Sequence, residues 1–364
     1  MRYARMRLTA AALIGIFAAA TGVCAQSPGN GEPAGPPAAH SVRTSVQRWL
    51  DIQAATVLAR YRHVVSSTGV LVANHMQDSF LLRPRFKFDA KARYALSATL
   101  QTGNNFTASW NNVGWGTGGP RTTGVYLKHL FFSAAPIKGL DVSYGGIGFV
   151  RGESTEITTY DNDGYMLGGR VAIHRPDHLF LDEISVSEGY FGDPANPGIS
   201  DRISKIGTVN YFDVIAAKKV GKLAGLSGGY TYQDHADTLR AAFVVRTPGV
   251  HVIDSFRYEH YCRVERLPAC GFAASVDKTP IAWLNVSGGY ADIDPDFGGV
   301  NGDRYTRGRR VFEQVSVRVL RDFTVSAFAT QAFDDTFVVA NARRIDLVVS
   351  YNALGPLQRA GFFR

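Results

Sequence analysis

Beyond its first 25 residues, the sequence contains no apolar run long enough to cross a membrane as a helix. Such a helix needs about 20 consecutive apolar residues. The one early run, Leu8–Ala20, is shorter than this and follows three arginines. This absence argues against a protein held in the membrane by helices, so a membrane-spanning structure would have to be built from strands.

The sequence also lacks a compact basic run and a catalytic signature. The formal net charge is +8 and the pI about 9.4, but the basic residues are spread along the chain instead of clustering with aromatics. This spread argues against nucleic-acid binding. No pattern such as His-Glu-x-x-His joins the scattered histidines, which are His129, His174, His235, His251 and His260 among others. We therefore predict no catalytic residues, no enzyme activity and no cofactor.

The first 25 residues have the three parts of a secretory signal peptide. Arg2, Arg5 and Arg7 precede the apolar run, and Val23-Cys24-Ala25 precedes the predicted cleavage site. A lipoprotein in which Cys24 is the first mature residue is the alternative, and Val23 is a poor fit to that processing signal. Removing the three arginines lowers the net charge from +8 to +5. Residues 26–46 are rich in Pro and Gly, and we predict a flexible periplasmic leader there.

Two cysteines remain after the predicted cleavage, Cys262 and Cys270. They lie close together in a polar stretch, which favours a disulfide in an exported protein. Two free thiols on a surface loop are the alternative.

From residue 47 onward, apolar and polar residues alternate. In one such segment Tyr94, Leu96, Ala98 and Leu100 share one parity, and polar residues occupy most of the other. A period of two predicts a strand with one apolar and one polar face. About sixteen segments show it, and a count of 16–18 is compatible with the pattern. The approximate centres are Ala55, Pro84, Ser97, Leu130, Gly145, Gly169, Ile184, Val214, Gly228, Ala242, Phe256, Ala273, Val286, Val315, Ala327 and Val348. For the first segment, Val46, Trp49, Leu50 and Ala54 also fit an amphipathic helix.

The predicted connections alternate between short and long. Short turns follow even-numbered segments, at residues 89–91, 136–139, 175–177, 220–222, 247–249, 277–279 and 321–322. Many odd-numbered segments are followed by longer loops, notably 103–122, 152–163, 191–207 and 292–308. Short periplasmic turns and longer external loops are typical of outer-membrane barrels. The sequence therefore predicts an all-β chain, residues 47–364, folded as a transmembrane antiparallel up-and-down β-barrel.

In this architecture the chain resembles the Gram-negative outer-membrane porins and, less specifically, alginate-export-like barrels with basic lumens. The resemblance covers almost all of the mature chain and implies a passive channel. It also implies location in the outer membrane, with lipid, lipopolysaccharide and the barrel-assembly machinery as partners. One departure is the C-terminus, because such barrels usually end on a strand with a final aromatic residue, and here Phe363 is penultimate.

The parity assigned to the lumen is rich in cations. These residues are Arg83, Arg85, Lys87, Arg93, Arg170, Arg240, Arg246, Arg257, Arg310, Arg318 and Arg344. The acidic set on the same parity is smaller and includes Asp141, Glu183, Asp213, Glu259 and Asp346. Because rings of basic side chains favour anions in a pore, we expect a channel that prefers small anionic solutes. Pairing of opposite charges across the lumen would leave only weak selectivity.

Other functions fit parts of the pattern. An exporter of an acidic polysaccharide, an outer-membrane hydrolase and a secreted soluble β-domain are the alternatives to a porin. Two acidic segments, residues 161–164 and 292–296, resemble fragments of calcium loops, but neither has the full ligand spacing, so no metal site is predicted. The oligomeric state is not readable from the sequence.

Overall fold

The computed structural model describes residues 48–103, 109–149, 165–174, 180–192, 198–233, 236–247, 252–264, 269–297, 305–333, 339 and 341–360. The predicted signal peptide and leader lie outside these residues.

The described part of the chain is almost entirely β-structure. Its strands are β1 (Leu50–Val65), β2 (Leu71–Lys87), β3 (Tyr94–Thr102), β4 (Asn111–Gly116), β5 (Val125–Ala134), β6 (Leu140–Gly148), β7 (Tyr165–His174), β8 (Glu183–Tyr190), β9 (Tyr211–Val220), β10 (Ala224–Gln233), β11 (Ala236–Arg246), β12 (Ser255–Arg263), β13 (Ala269–Ile281), β14 (Leu284–Ile293), β15 (Gly308–Leu320), β16 (Phe323–Ala332) and β17 (Arg343–Asn352). Two 3-10 helices, Ile199–Lys205 and Pro295–Phe297, and one α-helix, α1 (Leu354–Arg359), accompany them. None of the described helices combines the length and apolarity needed to cross a membrane.

The strands form one closed antiparallel ring. Each of sixteen strands pairs with its neighbour in the chain, and β17 pairs with β1 to close the circle. The seventeenth strand, β4, is a short segment of the loop between β3 and β5 that pairs with β2 above the end of β3. The predicted antiparallel barrel of about sixteen strands is confirmed, and all sixteen predicted centres lie inside strands.

The first segment forms β1, as the strand interpretation predicted. It pairs with β2 over Leu50–Val65 and with β17 over Thr56–Val65. Hydrogen bonds to these two partners satisfy the backbone of β1. A helix in this place would leave the facing edges of β2 and β17 unpaired. Strand pairing at the closure of the ring therefore outweighs the helical spacing of the apolar residues before Ala55.

The ring has its polar side chains inside and its apolar side chains outside. On β17, Ile345, Leu347 and Val349 are 44–48% exposed, whereas Arg344 and Asp346 are 8% and 2% exposed. The same division runs along β3, where Ser97, Thr99 and Gln101 are buried. A water-soluble domain has the reverse arrangement. A closed sheet with an apolar outer face is what a hydrocarbon environment requires.

The two ends of the barrel differ. One end, here the short-turn rim, carries the connections that follow β2, β5, β7, β9, β11, β13 and β15. The other end, the long-loop rim, carries most of the longer connections. One predicted turn is wrong: residues 277–279 lie within β13, and the chain turns at residues 282 and 283 instead. Turn-forming residues occur there because a bulge between Lys278 and Ile281 interrupts the ladder.

Aspartates fasten the short-turn rim. Asp182 accepts a hydrogen bond from the backbone N–H of Lys219 and lies 3.3 Å from the Lys218 ammonium. Asp254 does the same with the N–H of Thr279 and with Lys278. Each carboxylate thus links its own turn to a neighbouring strand, which is β9 for Asp182 and β13 for Asp254.

A short helix follows β17, the final strand of the described residues. Residues Leu354–Arg359 form α1, and Arg359 makes a paired contact with Asp322 in the turn between β15 and β16. The final strand therefore ends at Asn352. Phe363 lies outside the described residues.

Two long-loop segments pack against the barrel wall. β4 is fastened to β2, and Gly116 (φ +76°) approaches so closely that a Cβ there would lie 1.8 Å from the Asn74 carbonyl oxygen. The 3-10 helix Ile199–Lys205 packs on β5 and β7 with Ile199 buried. A Cβ at the preceding Gly198 would lie 3.7 Å from the ring of Tyr126, which pairs with the interior residue Gln101.

Candidate functional site in the barrel interior

Four arginines and one carboxylate lie on the inner wall formed by β15, β16, β17 and β1. We call Arg60, Arg62, Arg310 and Arg344, together with Asp346, the arginine cluster. Arg62 pairs directly with Asp346 across β1 and β17, so both side chains face the same way. The guanidinium of Arg62 contacts both carboxylate oxygens, with its Nε 2.9 Å from Oδ1 and its Nη2 2.7 Å from Oδ2.

Asp346 also holds the two neighbouring arginines. Arg344, two residues earlier on β17, donates from its Nε to Oδ2 at 2.9 Å. Arg60, two residues before Arg62 on β1, places its Nη1 3.8 Å from the same oxygen. The period of two in a strand sets all three basic groups on one face. One carboxylate is therefore shared among three guanidinium groups.

Arg60 is enclosed by residues from two other elements. Its Nε donates to Gln77 Oε1 on β2 at 3.1 Å. The ring of Trp110, from the loop before β4, lies over its guanidinium with 3.8 Å between Cζ and the ring centroid. Gln77 in turn donates to Asn112 at the start of β4. The pairing of β4 with β2 thus positions an aromatic face against a lumen-side arginine.

Arg310 has no carboxylate partner among the described residues. It is fully buried, and its Nη2 donates to the backbone carbonyl oxygen of Asn341 at 2.5 Å. Its Nη1 lies 3.3 Å from Thr330 Oγ1, and Thr330 pairs with Arg344 across β16 and β17. Arg310 therefore adds a fourth cation beside the three that share Asp346.

Elsewhere on the interior, basic residues lie beside carboxylates of neighbouring strands or turns. Arg170 lies 3.1 Å from Glu183, and Arg257 lies 2.7 Å from Asp277. Arg240 contacts the fully buried Glu259. Near the short-turn rim, Lys87 pairs with Asp51 at 3.2 Å and Arg93 with Asp89 at 2.9 Å. With Arg344, which contacts Asp346, six of the eleven predicted lumen cations have a carboxylate nearby.

The remaining predicted cations lie toward the short-turn rim. Arg83 and Arg85 are on the inner face of β2, and Arg85 donates to the Ala92 carbonyl oxygen at 3.2 Å. Arg318 is exposed near the end of β15, and Arg246 is exposed at the end of β11. Among the described residues, Arg83, Arg85 and Arg318 make no ion pair with a carboxylate.

Of the acidic residues predicted for the lumen, three others lie apart from the arginine cluster. Asp141 and Glu183 flank His174, at 3.2 Å from its Nε2 and 3.6 Å from its Nδ1. Asp213 is buried and accepts a hydrogen bond from Thr231 Oγ1 at 2.7 Å. None of these carboxylates makes a described contact with the arginine cluster. The cluster is therefore the most cation-rich part of the described interior.

Sequence reasoning missed three members of this site. Arg60 and Arg62 alternate with Tyr61 in β1, so their parity was visible in the sequence. Parity alone does not show that both meet Asp346, which is 284 residues away from Arg62 in the chain. Trp110 could not be found this way, because no periodic pattern shows that a loop residue lies over a strand.

The cysteine prediction is confirmed. Cys262 and Cys270 form a disulfide between directly paired positions of β12 and β13. Of the two acidic segments, residues 161–164 lie outside the described residues. In the other, the N–H of Asp296 donates to Asp294 Oδ1 at 2.8 Å, and Pro295–Phe297 form a short 3-10 helix. This is ordinary turn chemistry.

A five-residue match to the Gly-x-Ser-x-Gly motif, Gly225–Gly229, lies within β10. Its backbone pairs with β9 on one edge and β11 on the other. A nucleophile elbow requires a sharp turn from strand to helix, so this segment does not form one. Of the other candidate bases, the imidazole of His129 is buried 3.1 Å from Thr99 Oγ1. His235 and His251 lie outside the described residues.

Comparison with known proteins finds similarity in structure only. No family model and no curated protein sequence matches the chain. Among solved structures, Salmonella typhi OmpF in complex with daunomycin is similar with a TM-score of 0.55 and 10% identity, over 85% of this chain and 99% of that one. Pseudomonas putida OprB at low pH has a TM-score of 0.51 and 12% identity, over 84% and 93%. A mutant of the Rhodopseudomonas blastica porin has a TM-score of 0.50 and 12% identity, over 83% and 99%. The chain therefore has the fold of the bacterial porins, a closed antiparallel barrel of sixteen strands.

Proposed function

We propose that this protein is a channel in the outer membrane of a Gram-negative bacterium, through which small hydrophilic solutes diffuse passively. The supporting observation is the inverted barrel, with apolar residues outward and polar residues inward. A barrel of sixteen strands is wide enough to leave an aqueous path. The proposed partners are outer-membrane lipid, lipopolysaccharide and the barrel-assembly machinery.

We further propose that the channel favours anions. The arginine cluster supports this proposal, because three guanidinium groups share one carboxylate and the fourth, that of Arg310, has no carboxylate partner among the described residues. Guanidinium groups bind carboxylate and phosphate oxygens with two parallel hydrogen bonds. Fixed cations on a low-dielectric wall also raise the local concentration of anions. Small carboxylates, phosphate and acidic saccharides are the solute classes that fit this chemistry.

The other functions considered lack such a supporting observation. An acidic polysaccharide would contact the same cations as a small anion. A polysaccharide exporter therefore differs from a porin in the size of the solute, and single-channel conductance in a bilayer reports the size of the pore. A hydrolase needs a positioned nucleophile and base, and Gly225–Gly229 does not supply one. A soluble β-domain is disfavoured by the apolar outer face of the ring.

Ion selectivity in planar bilayers tests the proposal. The refolded protein is inserted into a bilayer with a potassium chloride gradient, and the reversal potential is measured. We expect stepwise conductance and a potential whose sign shows preference for chloride. A cation preference would overturn the anion proposal, and the absence of conductance from correctly folded barrels would overturn the channel proposal.

Two variants locate the selectivity. In R60Q/R344Q the cluster loses two cations, and we expect the preference for chloride to fall strongly. The control R257Q/D277N removes one cation and one anion from the paired wall, so selectivity should stay near that of the parent. Heat-modifiable gel migration verifies that both variants fold. If the two variants shift the reversal potential equally, the arginine cluster is not the source of selectivity.

A further inference from the structure

A group of metal-ligating side chains lies on the hairpin of β12 and β13, apart from the arginine cluster. His260 Nε2 is 3.3 Å from Cys262 Sγ, and Cys262 is bonded to Cys270. The three ligand atoms all lie within 4.8 Å of one another. Among the described residues, no other group of three potential metal ligands is this compact.

Strand geometry explains why the three residues meet. His260 and Cys262 are two positions apart on β12, so their side chains leave the same face. Cys270 is paired directly with Cys262 on β13. The face is the outer one, because Cys262 also pairs with the exposed Leu239. The site is therefore at the long-loop rim, and both His260 and Cys270 are exposed.

The oxidation state decides what this group can bind. Cysteine coordinates metals as a thiolate, so the disulfide form lacks two of the three ligands. An external thiol reductant would break the S–S bond, giving two cysteine thiols while two reductant thiols are oxidised to a disulfide. Metal binding would then displace one proton from each cysteine into solvent. The imidazole of His260 supplies the third ligand in its neutral form.

The spacing suits zinc. Zinc bonds of about 2.3 Å to sulfur and about 2.0–2.1 Å to nitrogen, in a tetrahedron, require ligand atoms roughly 3.5–3.8 Å apart. The imidazole nitrogen is already 3.3 Å from Cys262 Sγ. Two sulfurs and one nitrogen leave the fourth position to water. We propose that the reduced hairpin is a binding site for a thiophilic divalent cation of the zinc class, and that the disulfide closes this site.

Cadmium titration of the full chain in detergent tests the proposal. Cadmium is a spectroscopic stand-in for zinc, because its thiolate complexes absorb in the ultraviolet by charge transfer. After reduction and removal of the reductant, we expect one cadmium ion to bind per chain and to protect both cysteines from alkylation. The oxidised protein should show neither effect. Binding that is equal before and after reduction would contradict the proposal.

Variants separate a chelating site from two adventitious thiols. H260A should weaken cadmium binding by at least about tenfold, since even the loss of an outer-shell partner costs 10–100-fold in metal affinity. H63A, on the outer face of β1, is the matched control and should leave the affinity unchanged. C262S/C270S should abolish the charge-transfer band. Equal affinity in H260A and H63A would overturn the three-ligand site, and heat-modifiable migration again verifies folding.

Discussion

Two parts of the inner wall differ in how they balance charge. The first is formed by β15–β17 and β1, and the second by β6–β8 and β11–β13. On the first, Asp346 is shared by three arginines and Arg310 stands beside them without a described carboxylate. On the second, Arg170, Arg240 and Arg257 each face their own acidic residue. The same residue type thus occurs in two electrostatic settings within one barrel.

This difference shows that lumen parity alone does not measure selectivity. An arginine next to a carboxylate contributes little net field at the distance of a passing ion, because the two charges largely cancel. An arginine that shares its partner leaves a positive remainder. The excess cations of the described interior are therefore concentrated in the arginine cluster and in Arg83, Arg85 and Arg318.

The largest expected effect comes from removing the shared carboxylate. D346N leaves three guanidinium groups crowded together in a buried place. Breaking a buried ion pair from one side costs about 3–5 kcal/mol, and we expect the free energy of unfolding to fall by an amount in this range. Urea unfolding in detergent, followed by tryptophan fluorescence, measures it. If the variant still folds, its preference for chloride should rise.

The matched change on the other wall is E259Q. It removes the carboxylate that contacts Arg240, whose side chain is 21% exposed and so remains in contact with solvent. We expect a smaller loss of stability than in D346N. An equal or larger loss would break the comparison, because it would mean that one-to-one pairing and sharing carry the same energetic weight.

A smaller effect is expected from W110A. The indole covers the guanidinium of Arg60 at 3.8 Å, and a desolvated cation–π contact contributes about 2 kcal/mol. Removing the ring should lower the free energy of unfolding by up to about this amount. It should also raise single-channel conductance, because the indole occupies space on the lumen side. The control is W115A, which removes an exposed indole from β4, the short strand that follows Trp110. If W115A raises conductance as much as W110A, Trp110 has no special place over the cluster.

The sequence predicted much of the barrel and less of its interior site. Alternation located all sixteen strand centres, because a closed sheet in a membrane must separate apolar and polar faces along every strand. It also identified Arg310 and Arg344. It did not predict that Arg170, Arg240 and Arg257 are paired, because pairing depends on which residues of two adjacent strands face each other. That register depends on turn geometry as well as on the apolar pattern.

The two errors have the same origin. Asp277-Lys278-Thr279 has the composition of a turn, but Asp277 pairs with Ser255 of β12, and Lys278 and Ile281 pair with Val286 and Leu284 of β14, so β13 continues beyond it. Arg60 and Arg62 were overlooked because parity alone does not show that both meet Asp346. In both cases partners that are distant in the chain decided the structure. Local residue preferences are weak where a sheet closes on itself.

The smallest expected effect concerns a carboxylate outside the barrel interior, and it supplies the exposed reference for both walls. The backbone N–H of Lys219 and the ammonium of Lys218 hold the pKa of Asp182 below its usual range. A lowered pKa means that the contact stabilises the fold above the unfolded value of about 3.9. That contribution is lost as pH falls through the lower pKa of the folded protein. D182N should therefore lower the urea midpoint slightly at pH 7, and the difference from the parent should shrink toward pH 3. D296N, at a turn of the long-loop rim without a described ion pair, is the comparison variant and should change the urea midpoint at pH 7 less than D182N does. A D182N effect as large as that of D346N would mean that burial does not set the difference between these carboxylates.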